Sequence, residues 1–152
     1  MAPPKPAEAK RRYFSVEEAN RTLPLVRAIV TDIVQQWHTV NELKQRLTAV
    51  MGERKRPSGD IYSEEFAQSQ SEMEAEEEKL ASYIEELTKL GVELKGPDGL
   101  CDFYSMMDGR EVYLCWRLGE PEVGHWHELN AGFAGRKPLV SLAATRGSSR
   151  DH

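Results

Sequence analysis

The residues best equipped for chemistry crowd into one stretch, Cys115-Trp-Arg-Leu-Gly-Glu-Pro-Glu-Val-Gly-His-Trp-His-Glu128. Gly119, Pro121 and Gly124 make its middle a loop. In an extended segment alternate side chains share a side, so His125 and His127 point the same way. That spacing suits a divalent transition ion such as zinc, held through both imidazoles. Glu120, Glu122 or Asp102 would then complete a nitrogen–oxygen ligand set. The plainer reading has His125 and Trp126 covering the base of the fold while His127 hydrogen-bonds a backbone carbonyl. The His-Glu-x-x-His pattern of zinc proteases is not met, because Ala131 stands where the second histidine belongs.

Two further groupings lie close by. Arg117 and Glu120 flank Gly119 and are expected to pair, as a structural clamp more readily than as catalytic groups. Gly132-Phe-Ala-Gly-Arg-Lys137 offers backbone N–H groups and two cations to an anion. It fits neither the P-loop nor the dinucleotide fingerprint, and the bland alternative latches Phe133 into the core with Arg136 in solvent. A ligand pocket would accordingly draw on Asp102, Arg117, Glu120, Trp126 and Arg136, with His125, His127, Glu120 and Glu122 as metal donors. No nucleophile elbow surrounds Ser105 or Ser141. No catalytic residue is assigned, and whether the protein is an enzyme stays open.

The elements that must position these residues are legible around them. Ser15-Val-Glu-Glu18 fits a capping box, with Phe14 as its hydrophobic staple. It predicts a short leading helix that Pro24 interrupts. Pro24 then opens a long helix to about Met51, and a charged turn leads to another helix over about residues 62–90, closed by Gly91. Both helices carry heptad stripes. Pairing them antiparallel sets Val26 against Leu87, Ile33 against Leu80, Val40 against Met73 and Leu47 against Phe66, all in one register. Mid-helix, the run from Ala67 to Lys79 is acidic and reads as a solvated face or an acidic docking surface.

Beyond Gly91 the apolar period changes to alternation. Val92 and Leu94 mark a strand, followed by a turn at Gly96-Pro-Asp-Gly99. Strands over 100–105 and 111–117 then flank Asp108-Gly109, a strong hairpin signal. A two-residue turn sets Phe103 opposite Leu114, Cys101 opposite Trp116 and Ser105 opposite Val112. Asp102, Tyr104, Tyr113, Cys115 and Arg117 fall on the other face. The cysteines are thus on opposite faces, which disfavours a mutual disulfide or a shared zinc.

The expected fold is α+β: a long antiparallel helical hairpin (about 24–90, coiled-coil-like), a short leading helix and a small antiparallel β-meander (about 92–128) at its base. One domain spans 13–140, between a disordered leader (1–12) and a flexible tail (141–152). With 152 residues, 39% apolar and 30% charged, the chain suits solvated helices better than a compact α/β enzyme. A net charge of −5 argues against nucleic-acid binding. No apolar run reaches the roughly 18 residues of a membrane span, and no signal peptide is recognisable, so a cytoplasmic location is expected.

Phe14-x-x-x-Glu-Ala-Asn20, Leu23-Pro24, Gly91-Val-Glu-Leu-Lys95, Gly99-Leu-x-Asp-Phe103, Cys115-Trp-Arg-Leu-Gly-Glu120, Trp126-His127 and Gly132-Phe-x-Gly-Arg136 together resemble an uncharacterised bacterial family, domain of unknown function 2203. The resemblance runs from about Tyr13 to Leu139 and implies no activity. It marks Cys115 to Arg136 as the distinctive segment and the hairpin as its scaffold. Two readings of function follow. One is a non-enzymatic binding or assembly module, a homodimer formed through edge positions Val30, Trp37 and Met51, with another protein as a further partner. The other is a metal-binding protein or metal-dependent enzyme built on His125, His127 and a carboxylate.

Overall fold

Ser15 starts the first helix by the expected reciprocal cap. The Glu18 amide donates to Ser15 Oγ at 3.0 Å, and the Ser15 amide donates to Glu18 Oε1 at 2.9 Å. In the computed structural model, which describes residues 12–53 and 60–139, helix α1 then runs unbroken over Val16–Glu53. The expected short leading helix is therefore corrected: Pro24 lies inside α1 and does not divide it. The reason is tertiary. Ala19 and Leu23 before the proline and Val26, Val30 and Ile33 after it are all buried in one core. They share a face only if the helix continues. Their burial outweighs one missing amide donor.

Helix α2 spans Asp60–Lys89, and the chain leaves it through Gly91, whose φ of 91° favours glycine. The helices pack antiparallel. Val26 and Leu87 are buried together at one end. Midway, Gln36 Nε2 donates to the Glu76 carbonyl at 3.0 Å and to Glu76 Oε1 at 2.6 Å, and Lys44 pairs with Glu77 at 3.4 Å. At the far end Leu47 and Phe66 line one cleft. Of the expected edge positions, Val30 is fully buried in the core, which removes it from any outer surface. Trp37 is half-buried, and the Met51 side chain lies outside the described residues.

Five antiparallel strands follow in meander order: β1 (Val92–Gly96), β2 (Leu100–Met107), β3 (Arg110–Arg117), β4 (His125–Glu128) and β5 (Lys137–Pro138). The β2–β3 register is the one the two-residue turn requires, pairing Phe103 with Leu114, Cys101 with Trp116 and Ser105 with Val112. Asp108 and Gly109 take φ of 53° and 80°, the left-handed pair of a type I′ turn. Cys101, Phe103, Leu114 and Trp116 project from one face into the core with Phe14, Val123 and Leu139. Gly99 lets the sheet approach α1: a Cβ there would lie 2.7 Å from Leu118 Cβ and 3.1 Å from Val30 Cγ1. The meander reaches further than the sequence suggests, through β5. Of the expected leader only Arg12 is described, and the expected tail lies outside the described residues.

Candidate functional site

The sheet face opposite the core carries the chemistry. Asp102 pairs with Cys115, Cys115 with His125, and Tyr113 with His127. Three adjacent strands thereby place Asp102, Cys115, Tyr113 and both histidines on one side. His127 reaches across β3, where the small Cys115 side chain leaves room, and its Nε2 lies 3.1 Å from Asp102 Oδ1. Its Nδ1 is 2.7 Å from the Glu128 carbonyl oxygen. Asp102, Cys115 and His127 are all buried, and their donor atoms lie within 4.8 Å of one another. Burial pushes the Asp102 carboxyl above its usual range, though nearby His127 opposes the shift. Burial also pushes the Cys115 thiol up to about 12, and the Asp102 charge adds to the effect.

A polar-aromatic group borders this cluster. Tyr113 donates to Glu93 Oε1 at 3.2 Å, and Lys95 Nζ sits 2.8 Å from the same carboxylate. The Tyr113 ring lies against Tyr104 and His127, at centroid distances of 4.7 and 5.4 Å, with Lys95 over it at 5.2 Å. Burial would raise the Glu93 carboxyl. Lys95 and the tyrosine hydroxyls outweigh burial and hold it below the ordinary range.

At the β3 exit, Glu120 turns back on the sheet. Its Oε1 accepts the Arg117 amide at 2.9 Å, and the Glu120 amide donates to the Arg117 carbonyl at 3.0 Å. The carboxylate is gripped by both terminal nitrogens of Arg136, at 2.8 and 2.9 Å, and Arg136 also donates to the Cys115 carbonyl at 3.3 Å. This corrects two expectations. The cation paired with Glu120 is Arg136, while the Arg117 guanidinium turns to Asp98, with Nε 3.3 Å from Oδ2. Arg136 is largely buried instead of solvated, and Phe133 is the exposed residue, 38% accessible. Two guanidiniums, Arg117 and Arg136, lie over the Phe133 ring at 4.5 and 4.7 Å. The loop itself is anchored to α1: the Val123 amide donates to Asn20 Oδ1 at 2.7 Å, and Arg27 donates to the Pro121 carbonyl at 3.1 Å.

The residues singled out from the sequence are thus divided among several places. Arg117, Glu120 and Arg136 meet around Phe133, and Asp102 meets His127. Trp126 pairs with Leu114 and packs against the core on the other side of the sheet, with Lys137 over its ring at 4.9 Å. His125 shares the polar face, and its Nδ1 is buried with no hydrogen-bond partner among the described residues. Glu122 is exposed in the loop. Cys115, Tyr113, Glu93 and Lys95 were not among the sequence candidates. The hairpin register already set Cys115 beside Asp102, but nothing local showed that His127 would cross to them.

A family model described as "Uncharacterized conserved protein (DUF2203)" matches residues 12–139. None of the curated proteins and none of the solved structures matches the chain.

Proposed function

The chain belongs to the DUF2203 family of uncharacterized conserved proteins, and from that premise we propose that it is a non-enzymatic assembly module that pairs with a second copy of itself through the outer half of its helical hairpin. The observation carrying this reading is the uneven burial of the helices. The sheet covers only their base, and among the described residues between Val40 and Leu87 no apolar side chain is fully buried. Leu43, Leu47, Val50 and Phe66 instead line an open cleft of about 260 Å³. At the usual helical rise, α1 with its 38 residues extends about 57 Å, well past the sheet. The cleft has Arg46 on one wall and Glu65 and Glu72 on the other. Two such clefts facing each other about a twofold axis would set each arginine against the partner's acidic wall and close a four-helix bundle.

Both cysteines are free and buried on opposite faces, which suits the reducing cytoplasm. No helix of the described residues is long and apolar enough to cross a membrane, and the net negative charge supports protein partners over nucleic acid. A metal site made of His125, His127 and Glu120 is not part of this reading. His127 Nε2 faces Asp102, and Arg136 holds both Glu120 oxygens.

Sedimentation velocity over a concentration series tests the proposal. The wild type should run as a dimer. Leu47→Glu and Phe66→Glu should run as monomers of unchanged helicity by circular dichroism, while Leu25→Glu, at an exposed position near the base, should remain dimeric. A wild-type protein that stays monomeric throughout the series would exclude the reading.

A further inference from the structure

Both ring nitrogens of His127 face oxygen atoms, Nδ1 the Glu128 carbonyl and Nε2 the Asp102 carboxyl. A carbonyl oxygen only accepts, so the 2.7 Å contact to the Glu128 carbonyl puts a proton on Nδ1. Nε2 then presents either a second proton or a lone pair to Asp102 Oδ1, 3.1 Å away. A lone pair and a carboxylate oxygen at that distance repel each other unless a cation joins them, and a proton or a metal ion can do so. The thiol of Cys115 is the third group at the same point, its sulfur within 4.8 Å of both other donors.

We infer that Asp102, Cys115 and His127 form a buried binding site for one divalent transition ion of the zinc class, with Cys115 as thiolate and His127 Nε2 as ligand. Three features beyond proximity favour this. The donors are one nitrogen, one oxygen and one sulfur, a mixture that zinc accepts. The Nδ1–H bond to a backbone carbonyl is the outer contact that metal-ligating histidines use to aim the other nitrogen. Charge also balances: one thiolate and one carboxylate neutralise a divalent cation, so the complex places no net charge in a buried site. Binding displaces the thiol proton and the proton shared by Asp102 and His127, and both pass to solvent.

The geometry needs little change. Zinc–ligand bonds of about 2.0–2.3 Å put tetrahedral donors roughly 3.3–3.7 Å apart, between the 3.1 Å Asp102–His127 separation and the 4.8 Å outer limit of the cluster. Because the ligands stand on β2, β3 and β4, the strand register holds them together. This set differs from the His125–His127–Glu120–Glu122 combination that the sequence suggests, and it does not depend on how the hairpin associates.

The experiment loads the ion during folding, since the site is closed once the chain is folded. Untagged protein from cells grown with added Co²⁺ is assayed for metal content and for the near-ultraviolet absorption of a cobalt–thiolate bond. The wild type should carry one equivalent and show the band. Cys115→Ser should lose the band, and His127→Gln and Asp102→Asn should lower metal content by about tenfold or more. Cys101→Ser, on the opposite face, and His125→Ala should match the wild type. Absence of stoichiometric metal or of the thiolate band in the wild type overturns the assignment, whether or not any variant folds. Metal kept by Cys115→Ser but lost by His125→Ala would place the ion elsewhere and overturn it equally.

Discussion

Glu120 is a carboxylate whose bonding capacity is taken up by structure. Burial alone would raise its pKa, but the Arg136 fork and the Arg117 amide outweigh burial and hold it below the usual range. A carboxylate whose folded pKa is depressed adds stability above its unfolded pKa, near 4.3, and that stability is lost as pH falls through the folded value. Glu120→Gln should therefore weaken the fold at pH 7 by about 1–3 kcal/mol and flatten the decline in stability below about pH 4.5. Urea denaturation at a series of pH values reads both effects. An acid limb identical to the wild type would mean the pair carries no such linkage. The spacing around Gly119 brings the Glu120 carboxylate to the Arg117 amide, but not to the Arg117 guanidinium, which turns to Asp98. The choice of Arg136 as the cation came from a residue a whole strand and loop away, which spacing does not reveal.

At the scale of elements, the β2–β3 hairpin and the α1 helix respond differently to their local signals. Asp108-Gly109 prevails in the hairpin because both positions need left-handed backbone and these residue types tolerate it. Nothing lies within 4 Å of a Cβ added at Gly109, so Gly109→Ala isolates the backbone cost at φ 80°. It should destabilise by about 1–2 kcal/mol in urea denaturation without shifting the β2–β3 cross-strand contacts seen by NMR. A neutral effect would rule out the type I′ turn. Pro24 is the opposite case. Its local effect is to end a helix, yet it sits inside α1 because residues on both sides of it enter the same core.

Across the whole molecule, stability is concentrated where sheet and helices meet. Ile33 is 1% accessible in that core, whereas Leu47 is only half-buried in the outer cleft. Ile33→Ala should cost about 2–5 kcal/mol, and Leu47→Ala distinctly less in the monomer, with any further loss depending on protein concentration if the hairpins pair. Hydrogen exchange should show the same gradient: amides around Val26–Ile33 and in β2 and β3 opening with global unfolding, and those near Leu47 and Phe66 opening earlier. Equal protection along both helices would contradict the gradient.

Features written in local periodicity and turn chemistry are legible in the residues alone. These are the capping box at Ser15, the antiparallel helical pairing, the Asp108-Gly109 hairpin with its register, and the consequence that Cys101 and Cys115 face opposite ways. Each rests on contacts between near neighbours or on a repeat that propagates along an element, so the residues carry the information in order. Long-range packing fixed that α1 continues through Pro24, that Arg136 claims Glu120, and that His127 crosses β3 to Asp102. The β3–β4 register depends on how the 118–124 loop is tied to Asn20 and Arg27 of α1. Those contacts join residues about a hundred positions apart, at a distance where sequence spacing says nothing and packing decides.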